Sequence, residues 1–146
     1  MNASIELRPA TQDDWPAIAS LLEQNKLPLD GAREHLSGYL LASRNGEVAG
    51  CAGFELYADK ALLRSVAVAP GLQGQGIGHA MVTHLLQDAR RRKIATVFLL
   101  TVDAPEYFAR FGFALQCIDQ APLAMKASAE FQGACPTSAV CMLLTL

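Results

Sequence analysis

A chain of 146 residues, 51% hydrophobic and 18% charged, has enough apolar sequence for one sizeable core and too little charge for a disordered segment. One domain over 1–146 is expected, and a formal net charge of −2 argues against the basic footprint of nucleic-acid binding. No apolar run approaches the roughly 18 residues of a membrane helix. Met1 to Arg8 lacks the basic and apolar stretches of a secretion signal. Neither a nucleic-acid nor a membrane partner is expected, and the expected location is cytoplasmic. Cys51, Cys117, Cys135 and Cys141 form no C-x-x-C pair, so reduced thiols and no metal framework are expected.

In chain order, Ile5 to Arg8 alternates and predicts a first strand. Thr11 and Asp14 open a helix to about Asn25, with Trp15, Ile18, Leu21 and Leu22 as its apolar stripe. Leu27 to Gly31 breaks it, and Ala32 to Leu36 reads as a short second helix. Tyr39 to Ser43 and Val48 to Tyr57 are strands joined by Asn45-Gly46, a strong hairpin turn. Ala58 to Lys60 turns into an apolar strand, Ala61 to Ala69, ended by Pro70-Gly71. A helix follows over about Gly76 to Arg91, burying Ile77, Met81, Leu85, Leu86 and Ala89. Ala95 to Thr101 is a near-continuous apolar strand, as in a sheet covered on both faces. Pro105 to Phe111 is a short helix stopped by Gly112, and Phe113 to Cys117 a strand. Pro122 to Glu130 is a candidate helix, and Ala139 to Leu146 the last strand. A hairpin meander followed by two strand–helix units is α/β with a mixed sheet.

The connection between the apolar strand and the long helix carries the chemistry. Gly74, Gly76 and Gly78 stand at alternate positions where strand passes into helix. Such a turn points several backbone N–H groups at one phosphate, with the positive end of the helix dipole behind them. A dinucleotide fold wants G-x-G-x-x-G early in the chain, and His79 stands where its third glycine would be. A P-loop wants Gly-Lys, a pair that occurs nowhere in the chain. Gln73-Gly-Gln-Gly-Ile-Gly78 fits Q/R-x-x-G-x-G/A instead. Here the chain resembles the GNAT superfamily of acetyl-CoA-dependent N-acetyltransferases, and Leu63 to Pro70 and Tyr107 to Phe113 fit as well. The resemblance implies the GNAT-type fold: a mixed, mostly antiparallel central sheet with helices on both faces. It implies acetyl-CoA as co-substrate, with the amides of Gln73, Gly74, Gln75, Gly76, Ile77, Gly78 and His79 on the pyrophosphate. Backbone groups of Val66, Ala67 and Val68 would hold the pantetheine arm and polarise the acetyl carbonyl. A plain core strand and a packing turn are the structural alternative.

Acetyl transfer to an amine also needs a base for the ammonium and tolerance of the leaving thiolate. Many relatives place a tyrosine four residues before the glycine of the Gly112-Phe113 pair. Here that position, at the thiol end of the cofactor site, is Phe108. Tyr107 precedes it, about 100° away around a helix. Either Tyr107 serves as the acid or the thiolate leaves without one, and a half-buried packing role is Tyr107's other reading. Some relatives carry a glutamate where this chain has Leu62, which leaves Glu55 as the best carboxylate for a catalytic role. Arg64 interrupts an apolar strand and, by the period of two, shares a face with Leu62 and Val66. It suits an acceptor's acid group by bidentate pairing. A structural Glu55–Arg64 pair is the alternative for both. His35, His79 and His84 remain candidate bases. Arg90 to Lys93 complements a helix C-terminus or grips the 3′-phosphate of coenzyme A.

The segment Lys126 to Met142 resembles the tail of amino-acid N-acetyltransferases, closest to the small ones of arsenic-resistance operons. This implies a small amino-acid-like acceptor, with Ser138 and the Cys135-Pro136 turn near its pocket, or a tight structural turn there. The partner expected is thus a small-molecule amine, and a homodimer stays open. Two other classes stand beside the enzyme: a non-catalytic acyl-CoA sensor, and arsenic binding through thiols.

Overall fold

The computed structural model describes residues 5–102, 104–116, 122–128, 130–131 and 139–146. Its strands are Ile5–Pro9 (β1), Tyr39–Arg44 (β2), Glu47–Tyr57 (β3), Lys60–Val68 (β4), Thr96–Thr101 (β5), Ala114–Gln116 (β6) and Val140–Thr145 (β7). They form a seven-stranded sheet in the order β1-β2-β3-β4-β5-β7-β6. Every neighbouring pair is antiparallel except β4–β5, which is parallel. The helices are Trp15–Gln24 (α1), Ile77–Arg91 (α2), Pro105–Ala109 (α3) and Leu123–Lys126 (α4). This is the GNAT-type mixed architecture.

Local chemistry accounts for most boundaries. Asn45 and Gly46 have φ of 54° and 79°, as a two-residue hairpin turn requires. The Thr11 N–H donates to the Asp14 carboxylate at 2.8 Å, but the first turn there is a 3₁₀ turn, Gln12–Asp14, and α1 begins after it. The second expected helix is a 3₁₀ segment, Arg33–Gly38, broken at His35. The expected helix Pro122 to Glu130 shortens to Leu123–Lys126. Ser128 ends it: its hydroxyl accepts the Glu130 N–H at 3.2 Å, a local bond that competes with helix.

Alternation sorts the sheet onto two cores. Leu40, Ala42, Ala52, Phe54, Ala61, Leu63, Val97, Leu99 and Met142 pack under Ile77, Met81, Val82, Leu85, Leu86 and Ala89 of α2 and Phe108 of α3. Each large side chain contributes roughly 1.5–3 kcal/mol by leaving water. On the other face Tyr39, Leu41, Cys51 and Ala67 meet Ile18, Leu21 and Leu22 of α1. Leu62, Phe98 and Cys141 meet Met125 of α4 on that side. So helices cover both faces.

A bulge in β4 decides where the site lies. Cys51 pairs with Ala67 and Gly53 with Arg64, so Ser65 and Val66 together oppose Ala52. Ser65 takes φ of 61°, an uncommon angle for a residue with a side chain. The extra residue reverses the alternation. Arg64 stays on the face of Leu62, whereas Val66 and Val68 cross to the α2 face. This corrects the uninterrupted period of two that put Arg64 and Val66 together. The β4–β5 ladder also stops, at Leu63–Leu99, although β4 continues to Val68 and β5 to Thr101. A gap therefore opens beside the second half of β4.

The bulge is held from below. The Tyr39 hydroxyl hydrogen-bonds Ser65 Oγ at 2.7 Å, and its ring lies over Gly53, where a Cβ would come within 2.1 Å of the ring. Gly53→Ala is therefore expected to displace Tyr39 and destabilise the protein by about 1–3 kcal/mol, read by urea unfolding. An unchanged midpoint would show that Tyr39 does not pin the bulge.

Candidate active site

The glycine turn leaves the end of β4 and enters α2. The Ala69 N–H bonds the Ala49 carbonyl at 2.8 Å, so residue 69 faces β3. By alternation Ala67 also faces β3, while the backbone groups of Val66 and Val68 face the gap. The Val68 carbonyl is already taken, accepting from Asn25 and Gln73. Gly71, Gly74 and Gly76 then take φ of 89°, 81° and 84°. A Cβ on Gly74 or Gly76 would meet nothing within 4 Å. Glycine is required there by the backbone angle, and the space in front of the turn is open. Gly76 caps α2 and brings no side chain to its first N–H groups. Those uncapped amides, the dipole behind them and the open approach fit a pyrophosphate. Gly78 has a different role, since a Cβ there would stand 2.9 Å from the Tyr107 hydroxyl.

The turn is stapled to its surroundings by amide side chains. Gln73 Nε2 donates to the Val68 carbonyl and to Asn25 Oδ1, both at 3.2 Å. Asn25 Nδ2 donates to the Leu21 carbonyl at 2.8 Å and to the Val68 carbonyl at 3.2 Å. The Gln73 side chain thus supports the turn. His79 is exposed, with its ring 5.0 Å from that of Phe111. His84 lines a cavity of about 250 Å³ between α2 and β1–β3. Arg90 to Lys93 lie at the far end of α2, about 20 Å from the turn. There Asp88 pairs with Arg91 at 3.6 Å and Arg92 at 2.9 Å. That distance removes the 3′-phosphate reading of the cluster.

Phe108, expected at the thiol end, is a core residue, 9% exposed, with its ring edge-on to Phe113 at 6.1 Å. Tyr107 is half-buried and turns its hydroxyl toward Gly78 in the first turn of α2. Burial pushes its phenol above the ordinary range.

The polar centre lies on the opposite face. Arg64 Nη1 donates to Glu55 Oε2 at 2.8 Å, and both side chains are buried. Arg64 Nε reaches Ser65 Oγ at 3.3 Å, and Nη2 reaches the Pro28 carbonyl at 3.2 Å and lies 3.7 Å from Glu130 Oε2. Tyr57 donates its hydroxyl to Glu55 Oε1, and His35 Nε2 lies 3.6 Å from that oxygen. Burial pushes the Tyr57 phenol up to about 12, aided by its bond to the Glu55 carboxylate. Burial alone would raise the Glu55 carboxyl. Hydrogen bonds from Tyr57, Arg64 and Ser128 and the nearby His35 outweigh it, holding the group below its ordinary value. The sequence suggested the Glu55–Arg64 pair but missed Tyr57, Ser128 and Glu130. Tyr57 was legible in principle, standing two residues from Glu55 on one strand face.

Ser138, Cys117 and the Cys135-Pro136 turn lie outside the described residues. Cys51 and Cys141 are buried, and burial pushes the Cys51 thiol up to about 12, far from a ready thiolate. Among the described residues no group of three or more His, Cys, Asp or Glu side chains is placed to hold a metal ion, and no helix is long and apolar enough to cross a membrane.

Comparison with known proteins agrees with this geometry. Residues 4–113 match the acetyltransferase (GNAT) family. An amino-acid acetyltransferase of Mycobacterium tuberculosis is 38% identical over 117 residues, covering 73% of this chain and 67% of that protein. One from Neisseria meningitidis is 31% identical over 129 residues, 82% of this chain, which spans only 30% of that longer protein. In structure, Rv2747 from Mycobacterium tuberculosis, in complex with CoA and NLQ, superposes with a TM-score of 0.81 at 31% identity, over 97% of this chain and 99% of that one. N-acetylglutamate synthase from Neisseria gonorrhoeae, complexed with coenzyme A and N-acetyl-glutamate, gives 0.84 at 27% identity, over all of this chain and 36% of that one. The chain belongs to the GNAT family of acetyltransferases.

Proposed function

We propose that the protein transfers the acetyl group of acetyl-CoA to the primary amine of a small amino acid or amino-acid analogue. The observation that carries this reading is a strand whose ladder ends early, followed through the glycine turn by the uncapped N-terminus of α2. One end offers amides to a pyrophosphate and the other offers strand backbone to an amide-containing arm and a thioester carbonyl. The names of the mycobacterial and neisserial relatives support an amino acid as acceptor.

In this reading the acceptor lies on the Arg64 face. The Arg64 side chain is as buried as that of Glu55, with Nη2 on the Pro28 carbonyl and 3.7 Å from Glu130, so an acceptor carboxylate reaches it only by displacing those contacts. Ser138 is proposed as a further acceptor contact. The ammonium, with a pKa of about 10, must lose a proton before its nitrogen attacks the acetyl carbon. Glu55 is fully buried and does not meet the acceptor itself. Its exit to solvent is His35, whose side chain is 35% exposed. Glu55 positions Arg64 and backs His35, which takes the amine's proton and passes it to solvent. As the C–N bond forms and the C–S bond breaks, the electron pair leaves on sulfur. A thiol with a pKa of about 8.5 tolerates departure as thiolate, consistent with Phe108 at the family's acid position and Tyr107 aimed at α2.

Purified protein is expected to release free thiol from acetyl-CoA with amino acids in a panel that includes acidic, phosphinic and arsinic analogues. The arsinic members test the proposed link to arsenic resistance. Acetyl-CoA binding without turnover on any amine would make the protein an acyl-CoA sensor. Gly76→Asp puts a carboxylate where the pyrophosphate approaches, and the donor Kd is expected to rise at least about a hundredfold, roughly 2.7 kcal/mol. Retained affinity by calorimetry would place the phosphate site elsewhere.

Glu55 also predicts an acid limb in stability. A carboxyl more acidic folded than unfolded contributes stability above its unfolded pKa, about 4.3, and loses it as the pH falls through the folded value. Glu55→Gln is expected to cost about 3 kcal/mol at neutral pH, because Arg64 loses its closest partner. It should also flatten the fall of Tm below about pH 4. The same acid limb in both proteins would assign it to other carboxylates.

A further inference from the structure

The glycine turn brings no cation of its own. Residues 69–80 contain neither lysine nor arginine, and Gln73 occupies the position where the family pattern also admits arginine. The dipole of α2 is equivalent to about half a charge. The nucleotide end of a CoA-type donor carries several negative charges. A further cation is therefore wanted beside the turn, and one stands there.

Arg44 ends β2, where the bulge at Ala49 belongs to β3, so the alternation of β2 runs unbroken. Leu40 and Ala42 face the α2 core, and Arg44 follows them on that face. Its Nη1 donates to Oε1 of Gln75, the residue between the two left-handed glycines Gly74 and Gly76. Its Nε is enclosed and meets no acceptor among the described residues. No carboxylate among them pairs with its charge, in contrast to Arg8 with Asp14 or Arg64 with Glu55. A desolvated donor and an unneutralised charge, held against a phosphate-binding turn by a single neutral amide, make a site waiting for an anion.

We infer that Arg44, reaching across from the β2–β3 hairpin, binds a phosphoryl group of the donor's nucleotide end and supplies the charge that the glycine turn lacks. The inference rests on the donor being acetyl-CoA. It makes the hairpin part of the donor site, with Gln75 holding the guanidinium in place until the phosphoryl oxygens replace it as acceptor.

The test is calorimetric titration of coenzyme A and 3′-dephospho-coenzyme A into the wild type, Arg44→Gln and Arg44→Lys. Gln keeps a hydrogen-bonding side chain beside Gln75 but removes the charge, and Lys restores the charge. Arg44→Gln is expected to weaken coenzyme A at least tenfold, about 1.4 kcal/mol, with at least threefold recovered in Arg44→Lys. A loss confined to coenzyme A assigns the contact to the 3′-phosphate, and an equal loss with both ligands assigns it to the pyrophosphate. Unchanged affinity in Arg44→Gln, or equal losses in the Gln and Lys variants, would overturn the role of Arg44 and leave the donor reading standing. Failure of the wild type to bind coenzyme A would overturn both.

Discussion

The bulge at Ser65 and Val66 is the constraint on which the rest of the structure depends. A parallel β4–β5 pair continued to the strand ends would close the sheet and satisfy every backbone group there. The extra residue in β4 ends that ladder at Leu63–Leu99 and turns Val66 and Val68 toward the gap. The same twist leaves Arg64 on the other face, among Glu55, Ser65 and Glu130. In the proposed function, one irregularity thus puts the donor on one side of a strand and the acceptor on the other. A left-handed Ser65 costs of order 1–3 kcal/mol. The hydroxyl of Tyr39 and the packing of its ring over Gly53 hold the residue in that state.

Charge is distributed along the same division. The Arg64 face concentrates buried ions in a hydrogen-bonded cluster, in which desolvation of Glu55 is offset by donors from Tyr57, Arg64 and Ser128. The face proposed for the donor has backbone amides, open space and a helix end, with Arg44 hydrogen-bonded to Gln75 of the turn. Buried pairs of the first kind contribute more to placement than to net stability, because desolvation consumes most of their attraction. Their arrangement fixes the Arg64 guanidinium in one orientation, which a hydrophobic filling of the same volume would not do.

Much of the fold was legible because its signals are local. Asn45-Gly46 dictates a hairpin turn, Gly76 a helix start, and the apolar run Val97 to Leu99 a strand covered on both sides. The bulge was not legible, because Ser65 and Val66 read as ordinary strand and only pairing with β3 reveals the extra residue. The face shared by Arg64 and Val66 was misread for that reason alone. The short helix before Ser128 was overextended because a hydroxyl-to-backbone bond leaves no periodic trace. At the site, the chemistry-bearing types at Glu55 and Arg64 stood out against an apolar background. Their partner Glu130 did not, since contact across elements separated by tens of residues is set by topology, whereas Tyr57, two residues from Glu55 on one strand, carried a local signal.

The segment joining α1 to the residues before the 3₁₀ segment is a loop by its backbone, yet it is bound at both ends of the chemistry. The Leu27 N–H closes back on the Leu22 carbonyl at 2.9 Å around Lys26, whose φ is 57°. Asn25 holds the Val68 carbonyl beside the glycine turn, and three residues later the Pro28 carbonyl holds Arg64. Surface connections ordinarily tolerate changes of length. This one cannot gain or lose a residue without pulling one anchor away from its partner, so insertions that neighbouring hairpin tips would absorb are excluded between Asn25 and Pro28.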